Sequence, residues 1–197
     1  MRQRLFSLVL CFVAVSATAA EIRTLDFTRD DDNYHVISDV YLAAPPSAVY
    51  SVLIDYDNLY RVSSAFLETR FIEPIEDGRG VVYLHMEACV LFFCRDVELT
   101  EELLVTPETR VEVTILPEKS DLNYGWSSWE IAPVDDGSLV RYELKMQPSF
   151  WIPPVIGPMI MKTVARRKGL RAARRVEALA AGQPMPADLA IEPPSSR

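Results

Sequence analysis

The chain is poor in the side chains that most metal and nucleophile chemistries need. It has two histidines and three cysteines. A structural zinc takes four closely spaced thiolate or imidazole ligands, and neither His35 nor His85 lies at such a spacing from the Cys89–Cys94 pair. No HExxH, GxSxG, P-loop or GxGxxG pattern occurs, so zincin, nucleophile-elbow and nucleotide-phosphate chemistries have no motif behind them. Beyond residue 20 no apolar run is long enough to span a bilayer. No segment repeats. Basic residues are scarce over most of the length, and the formal net charge is −8. An acidic body does not suit nucleic acid, whose phosphates select basic surfaces. Neither a metal nor a cofactor is expected, and nothing in the pattern specifies an oligomeric state.

The first twenty residues read as a secretory signal. Arg2 and Arg4 precede the apolar run 5–15, and Ala17-Thr18-Ala19 is a small-residue cleavage site. Cleavage is expected after Ala19 or Ala20, with delivery to a periplasmic-type compartment. There the remaining cysteines, Cys89 and Cys94, are expected to pair as a disulfide. The domain then covers 21–182. The Pro-rich segment 183–197 has no apolar period and is expected to be a disordered tail.

Residues 41–66 (YLAAPPSAVYSVLIDYDNLYRVSSAF) hold the most informative local pattern. Pro45 and Pro46 stop a strand and suit a first helical turn. Val49, Val52, Leu53 and Tyr56 then form one apolar helix face. Upstream, 22–42 reads as a hairpin around Arg29–Asn33. Downstream, strands are expected at 66–73, 80–88, 95–105, 110–116, 123–131 and 138–147, separated by Pro-, Asp- and Gly-rich turns. Val111, Val113 and Ile115 alternate with polar neighbours, as do Val140, Tyr142, Leu144 and Met146. Such sheets are antiparallel and covered on one side. A long helix follows over 159–181, stopped by Gly182. Its expected inner stripe is Met161, Ala165, Gly169, Ala172, Val176 and Leu179. The small middle residues would either let the sheet approach or leave room for a ligand.

Few residues are candidates for chemistry. Glu101 interrupts the apolar face of Val97, Leu99, Leu103 and Val105, and Glu130 lies in an aromatic-rich strand. Both are candidate acids of an apolar pocket. Asp55 and Asp57 could form a carboxylate pair, although helix termination explains them more simply. His35 and His85 lie in strands, with nothing to position a partner. The hairpin tip Cys89-Val90-Leu91-Phe92-Phe93-Cys94 has four apolar residues where turns normally use Gly, Asn or Asp. Trp151, Ile152, Val155 and Ile156 form a second apolar loop. Exposed, such loops signify binding. Seven bases lie between Lys162 and Arg175. They form either a solvated helix face or a contact for anionic headgroups.

The order strand, helix, six-arm meander and long C-terminal helix resembles the SRPBCC superfamily, the START and Bet v 1-like helix-grip domains. Within it the chain most resembles the polyketide cyclase/dehydrase and coenzyme-Q-binding START-like group. The segments VYLAAPPSAVYSVLIDYDNLYRV, PSFWIPPVIGPMI and RRVEALA carry this resemblance, over about residues 34–181. It implies an α+β fold in which a curved antiparallel sheet of about seven strands wraps a long C-terminal helix around a cavity. The residues expected at the cavity or its mouth are Val111, Val113, Tyr142, Leu144, Trp126, Phe92, Phe93, Trp151, Met161, Ala165 and Gly169. The expected role is binding or carrying a hydrophobic small molecule such as a lipid, quinone or polyketide-like ring, with peripheral membrane contact through the apolar loops and basic helix. The alternatives are a cyclase, dehydratase or hydrolase acting on an apolar substrate, and a non-catalytic docking module of the cell envelope.

Overall fold

The computed structural model describes residues 20–153 and 156–191. The signal-like residues 1–19 lie outside the described residues. The chain runs β1 (Glu21–Asp30), β2 (Asn33–Leu42), α1 (Pro46–Leu53), a 3-10 turn (Tyr56–Arg61), then β3 (Phe66–Glu76), β4 (Arg79–Val90), β5 (Phe93–Thr106) and β6 (Arg110–Ile115). After a short 3-10 turn (Pro117–Lys119) come β7 (Leu122–Val134), β8 (Gly137–Pro148) and α2 (Pro158–Ala180).

The strands form one curved, open antiparallel sheet in the order β1-β2-β8-β7-β6-β5-β4-β3. It has eight strands rather than about seven, because β1 pairs with β2 from Glu21↔Tyr41 to Asp30↔Asn33 and becomes an edge. The only neighbours not consecutive in the chain are β2 and β8, joined from Tyr34↔Met146 to Leu42↔Ser138.

Turn chemistry explains most hairpins. The left-handed positions are Asp31, Asp77 with Gly78, Glu108 and Asp135, and Asp and Gly tolerate that region well. The β4–β5 hairpin is different. Its loop is Leu91-Phe92, and Leu91 adopts φ 56°, a conformation unfavourable for a branched apolar residue. Cys89 and Cys94 are directly opposed behind that loop, with Cα atoms 4.0 Å apart, and form a disulfide. Val90↔Phe93 closes the two-residue loop, and the cysteines occupy the next pair. Glu87 lies beside them, but the disulfide leaves no thiolate to join its carboxylate as a metal ligand.

Alternation sets the core. Val97, Leu99, Leu103 and Val105 of β5 and Val111, Val113 and Ile115 of β6 are all buried on the inner face. Each fully buried aliphatic side chain contributes about 1.5–3 kcal/mol. Val49 and Tyr50 of α1, with Ala173 and Val176 of α2, close the main cluster. Tyr56 falls in the 3-10 turn rather than in α1, whose last bond runs from Ile54 N–H to Tyr50 O at 3.1 Å. A second cluster joins Ile22, Leu25 and Phe27 of β1 to Met161, Ala165 and Leu170 of α2.

The segment after α2 differs from the expected disordered tail. Leu189 is 4 % exposed, and its carbonyl accepts from Arg175 Nε at 2.8 Å. The Arg175 Nη1 donates to Val62 O at 3.4 Å. One buried guanidinium thus ties the segment to α2 and to the turn after α1. Residues 192–197 lie outside the described residues.

Candidate functional site

A cavity of about 340 Å³ lies between the inner face of the sheet and the start of α2. That size falls in the range of small-molecule sites. Its walls are almost wholly apolar because the inner faces of β4, β5, β7 and β8 converge there. Leu84 and Met86 come from β4, Leu99 from β5, and Leu144 and Met146 from β8. Phe150, Ile152 and Ile156 of the loop before α2 and Met161 of α2 complete the enclosure. Phe93 and Arg95 line the side next to the hairpin tip, where the Arg95 guanidinium lies 5.2 Å from the Phe150 ring centroid.

Several expected lining residues do border this space: Val113, Tyr142, Leu144, Phe93 and Met161. Others are elsewhere. Val111 is sealed in the core beneath the sheet. Ala165 packs in the second cluster against β1 and β2. Gly169 is exposed, and a Cβ there would lie 3.6 Å from Ile22 Cδ1. The small residues of α2 therefore let β1 approach the helix and do not make room for a ligand. Phe92 and Trp151 are not lining residues: they are 80 % and 71 % exposed, alongside Leu91 at 61 % and Met159 at 83 %. Val155 lies outside the described residues.

The two tryptophans of β7 separate by alternation. Trp129 pairs with Tyr142 across the inner face, their ring centroids 5.0 Å apart, and lines the cavity. Trp126 also borders the cavity beside the side-chain-free Gly125. Its indole, however, lies 5.3 Å from Lys145 Nζ on the outer face. Glu130 is likewise an outer-face residue, exposed and 3.9 Å from Arg110 Nε. It is not a pocket acid. The phase of β7 against β8 decides this, and Ile131, buried opposite Val140, was the signal in the sequence.

Glu101 does lie in the cavity. It continues the inner-face row of β5, flanked by Val82 of β4 and Ile115 of β6. The surface it retains faces the cavity. Burial pushes its carboxyl up to about 7. Among the described residues it makes no hydrogen bond and no ion pair. Tyr56 and Tyr142 also line the cavity. Burial first, and then the Glu101 charge, raise the pKa of both phenols above the ordinary tyrosine value. Tyr56 was visible in the sequence as the last position of the apolar face begun by Val49, not as a cavity residue.

The remaining candidates have structural partners. Asp55 accepts from Arg61 Nη2 at 2.7 Å and Asn58 Nδ2 at 3.0 Å. Asp57 accepts from the Phe71 N–H at 3.1 Å. His35 Nε2 sits 2.9 Å from Glu143 Oε1, which also meets Lys145 Nζ at 2.9 Å. Direct hydrogen bonds to Lys145 and then His35 lower the Glu143 pKa. His85 lies 3.9 Å from Asp96. Neither histidine lines the cavity.

The profile of the family described as polyketide cyclase / dehydrase and lipid transport matches residues 34–181. The chain belongs to that family. Its fold is shared with the Zhui aromatase/cyclase from Streptomyces sp. R1128, at 17% identity and a TM-score of 0.60, covering 76% of this chain and 94% of that one. A START superfamily protein from Mycobacterium smegmatis shares it at 16% identity and TM-score 0.59, over 75% and 97% of the two chains. A STAR-related lipid transfer protein from Xanthomonas axonopodis (fragment 25–204) does so at 17% and 0.57, over 76% and 96%. No curated protein matches by sequence. Within this family the helix-grip architecture is the common part, and the cavity acid and the disulfide-closed tip are read from this chain's own residues.

Proposed function

We propose that the protein takes up and carries an apolar molecule, of lipid, quinone or polyketide-ring type, in the cavity between sheet and α2. The observation that carries this reading is the 340 Å³ of apolar space, which a compact core would have filled. Removing apolar ligand surface from water supplies roughly 25 cal/mol per Å², less the cost of association. The relatives' descriptions, an aromatase/cyclase and a lipid transfer protein, support a ligand of this kind.

The reading includes export, supported by the signal-like residues 1–20 and by the Cys89–Cys94 disulfide. It also includes transient contact with an anionic bilayer. Leu91, Phe92, Trp151 and Met159 project into solvent, and the bases of α2 stand nearby: Lys168 Nζ donates to Cys89 O at 3.0 Å. Apolar wedges beside bases suit anionic headgroups. Phe92→Asp and Trp151→Asp are expected to abolish flotation with phosphatidylglycerol liposomes while leaving the melting temperature unchanged. Equal flotation of wild type and variants would remove the membrane contact.

A second reading is general acid–base catalysis on an apolar substrate, favoured by Glu101 with its proton affinity near neutrality. The first test is native mass spectrometry of the exported protein, followed by solvent extraction. A bound mass that extracts as a lipid or quinone supports carriage. Empty protein that gains no mass from added envelope lipids would overturn it.

A further inference from the structure

Between Val97 and Val105, Glu101 is the residue that breaks the apolar inner face of β5. Valine or leucine there would complete the row between Val97 and Val105 at no desolvation cost. A carboxyl instead sits between Val82 and Ile115, both buried and apolar, with no protein partner among the described residues. The side chain is half-buried and lines the apolar cavity, and a carboxyl largely removed from water there costs free energy unless something else satisfies it. The ionisable groups lining the cavity with it are Tyr56 from the 3-10 turn, Tyr142 from β8 and Arg95 on β5. Arg95 is exposed and lies against the Phe150 ring, so no cation offsets Glu101. Lys145, Glu143 and His35 belong to the outer face.

We propose that Glu101, with the phenols of Tyr56 and Tyr142, forms a polar anchor for a carbonyl oxygen on an otherwise apolar ligand. This rests on the carriage reading and names the class of molecule carried. Both phenols keep their protons throughout the physiological range, because burial and the Glu101 charge oppose their ionisation. Glu101 near neutral pH holds its proton about half the time. The cavity therefore presents two permanent hydrogen-bond donors and one that pH controls. A ligand carbonyl, with two lone pairs, accepts from the protonated Glu101 and from one of the phenols, and the apolar remainder fills the walls. An amine ligand would need the ionised carboxylate and would show the opposite pH dependence.

The test uses paired probes of similar size: 2-acetylnaphthalene, which carries a carbonyl, and 2-ethylnaphthalene, which does not. Binding is followed by tryptophan fluorescence between pH 5.5 and 8.5. At pH 5.5 the ketone is expected to bind about tenfold more tightly, the value of one net hydrogen bond. Most of that advantage should disappear by pH 8.5. Glu101→Gln keeps an N–H donor, so it should retain part of the advantage but lose its pH dependence. Glu101→Leu should abolish the advantage while binding the hydrocarbon at least as well. Far-UV dichroism establishes that each variant is folded. Equal binding of both probes at every pH overturns the anchor and leaves carriage standing. If 2-naphthylmethylamine binds more tightly than the ketone and gains affinity as pH rises, Glu101 holds a cation and the carbonyl assignment is wrong. If no probe binds, carriage and anchor fall together.

Discussion

The two halves of α2 carry the same kind of basic outer surface and bury very different inner ones. From Ala172 onward, Ala173, Arg175, Val176 and Ala178 are buried, Glu177 Oε2 accepts from the Ala43 N–H at 3.1 Å, and Arg175 holds the segment around Leu189. Before Gly169 no residue of the helix is buried. That half touches β1 through Met161 and Ala165, borders the cavity, and reaches the hairpin tip through one exposed bond from Lys168. One end of the helix is an anchor and the other is a cover. A region held by few buried contacts opens at low free energy, so on the carriage proposal a ligand would pass at the start of α2, between the tip of β4–β5 and the loop around Trp151.

The sharpest way to break this contrast is one substitution in each half. Val176→Asp places an unpaired carboxylate in the main core and should cost about 4 kcal/mol or more, measured by denaturant unfolding. Met159→Asp, at the exposed start of the helix, should change stability by less than about 0.5 kcal/mol. Comparable losses at both positions would mean that the halves are equally anchored.

Next in size is the cavity acid. The folded protein raises the Glu101 pKa from 4.5 to about 7, so it binds this proton more tightly than the unfolded chain does. The stability it contributes is fully present below pH 4.5, declines between there and pH 7, and is absent above. Glu101→Gln removes that dependence. It should stabilise the protein by roughly 3 kcal/mol at pH 8 and by almost nothing at pH 4. A variant no more stable than wild type at pH 8 would show that the carboxyl pays no burial penalty.

Arg175→Ala tests the anchor from the other side. Burial, and then the Arg171 charge, lower the pKa of this guanidinium, yet its two carbonyl partners justify its place. Removing it should cost about 2 kcal/mol and speed proteolysis within 183–191, read by mass spectrometry of limited digests. The smallest effect is expected at Lys168→Ala. Stability should move by under about 0.5 kcal/mol, while release of 2-ethylnaphthalene in stopped-flow fluorescence becomes faster because the cover loses its one polar tie to the tip.

How far the sequence could be read varied with the element. The hairpins were legible because Asp, Gly and Pro mark turns and period two marks faces. Glu101 was legible because it broke a face whose phase its own strand defined. Glu130 looked similar but sits on the outer face; its neighbour Ile131 was the signal in the sequence, and the pairing of β7 with β8 decides the phase. Ala165 and Gly169 were assigned to the right helix face but to the wrong neighbour. The face they share meets β1, whose position as an edge strand depends on the nonlocal pairing of β2 with β8. Leu189 lay in a stretch without apolar period, and the bond from Arg175 to its carbonyl joins residues 14 apart in the chain.

The information legible in the chain alone is therefore local: where strands and helices begin, which side of most strands is apolar, and that one acid stands in an apolar row. These follow from backbone geometry, whose periods of two and 3.6 are written residue by residue. The tertiary structure alone decided which apolar side chains meet and which leave space between them. The curvature of the eight-stranded sheet and the tilt of α2 are sums of many small twists, set by packing between residues far apart in the chain. The cavity, its mouth and the solitary Glu101 within it exist only at that level.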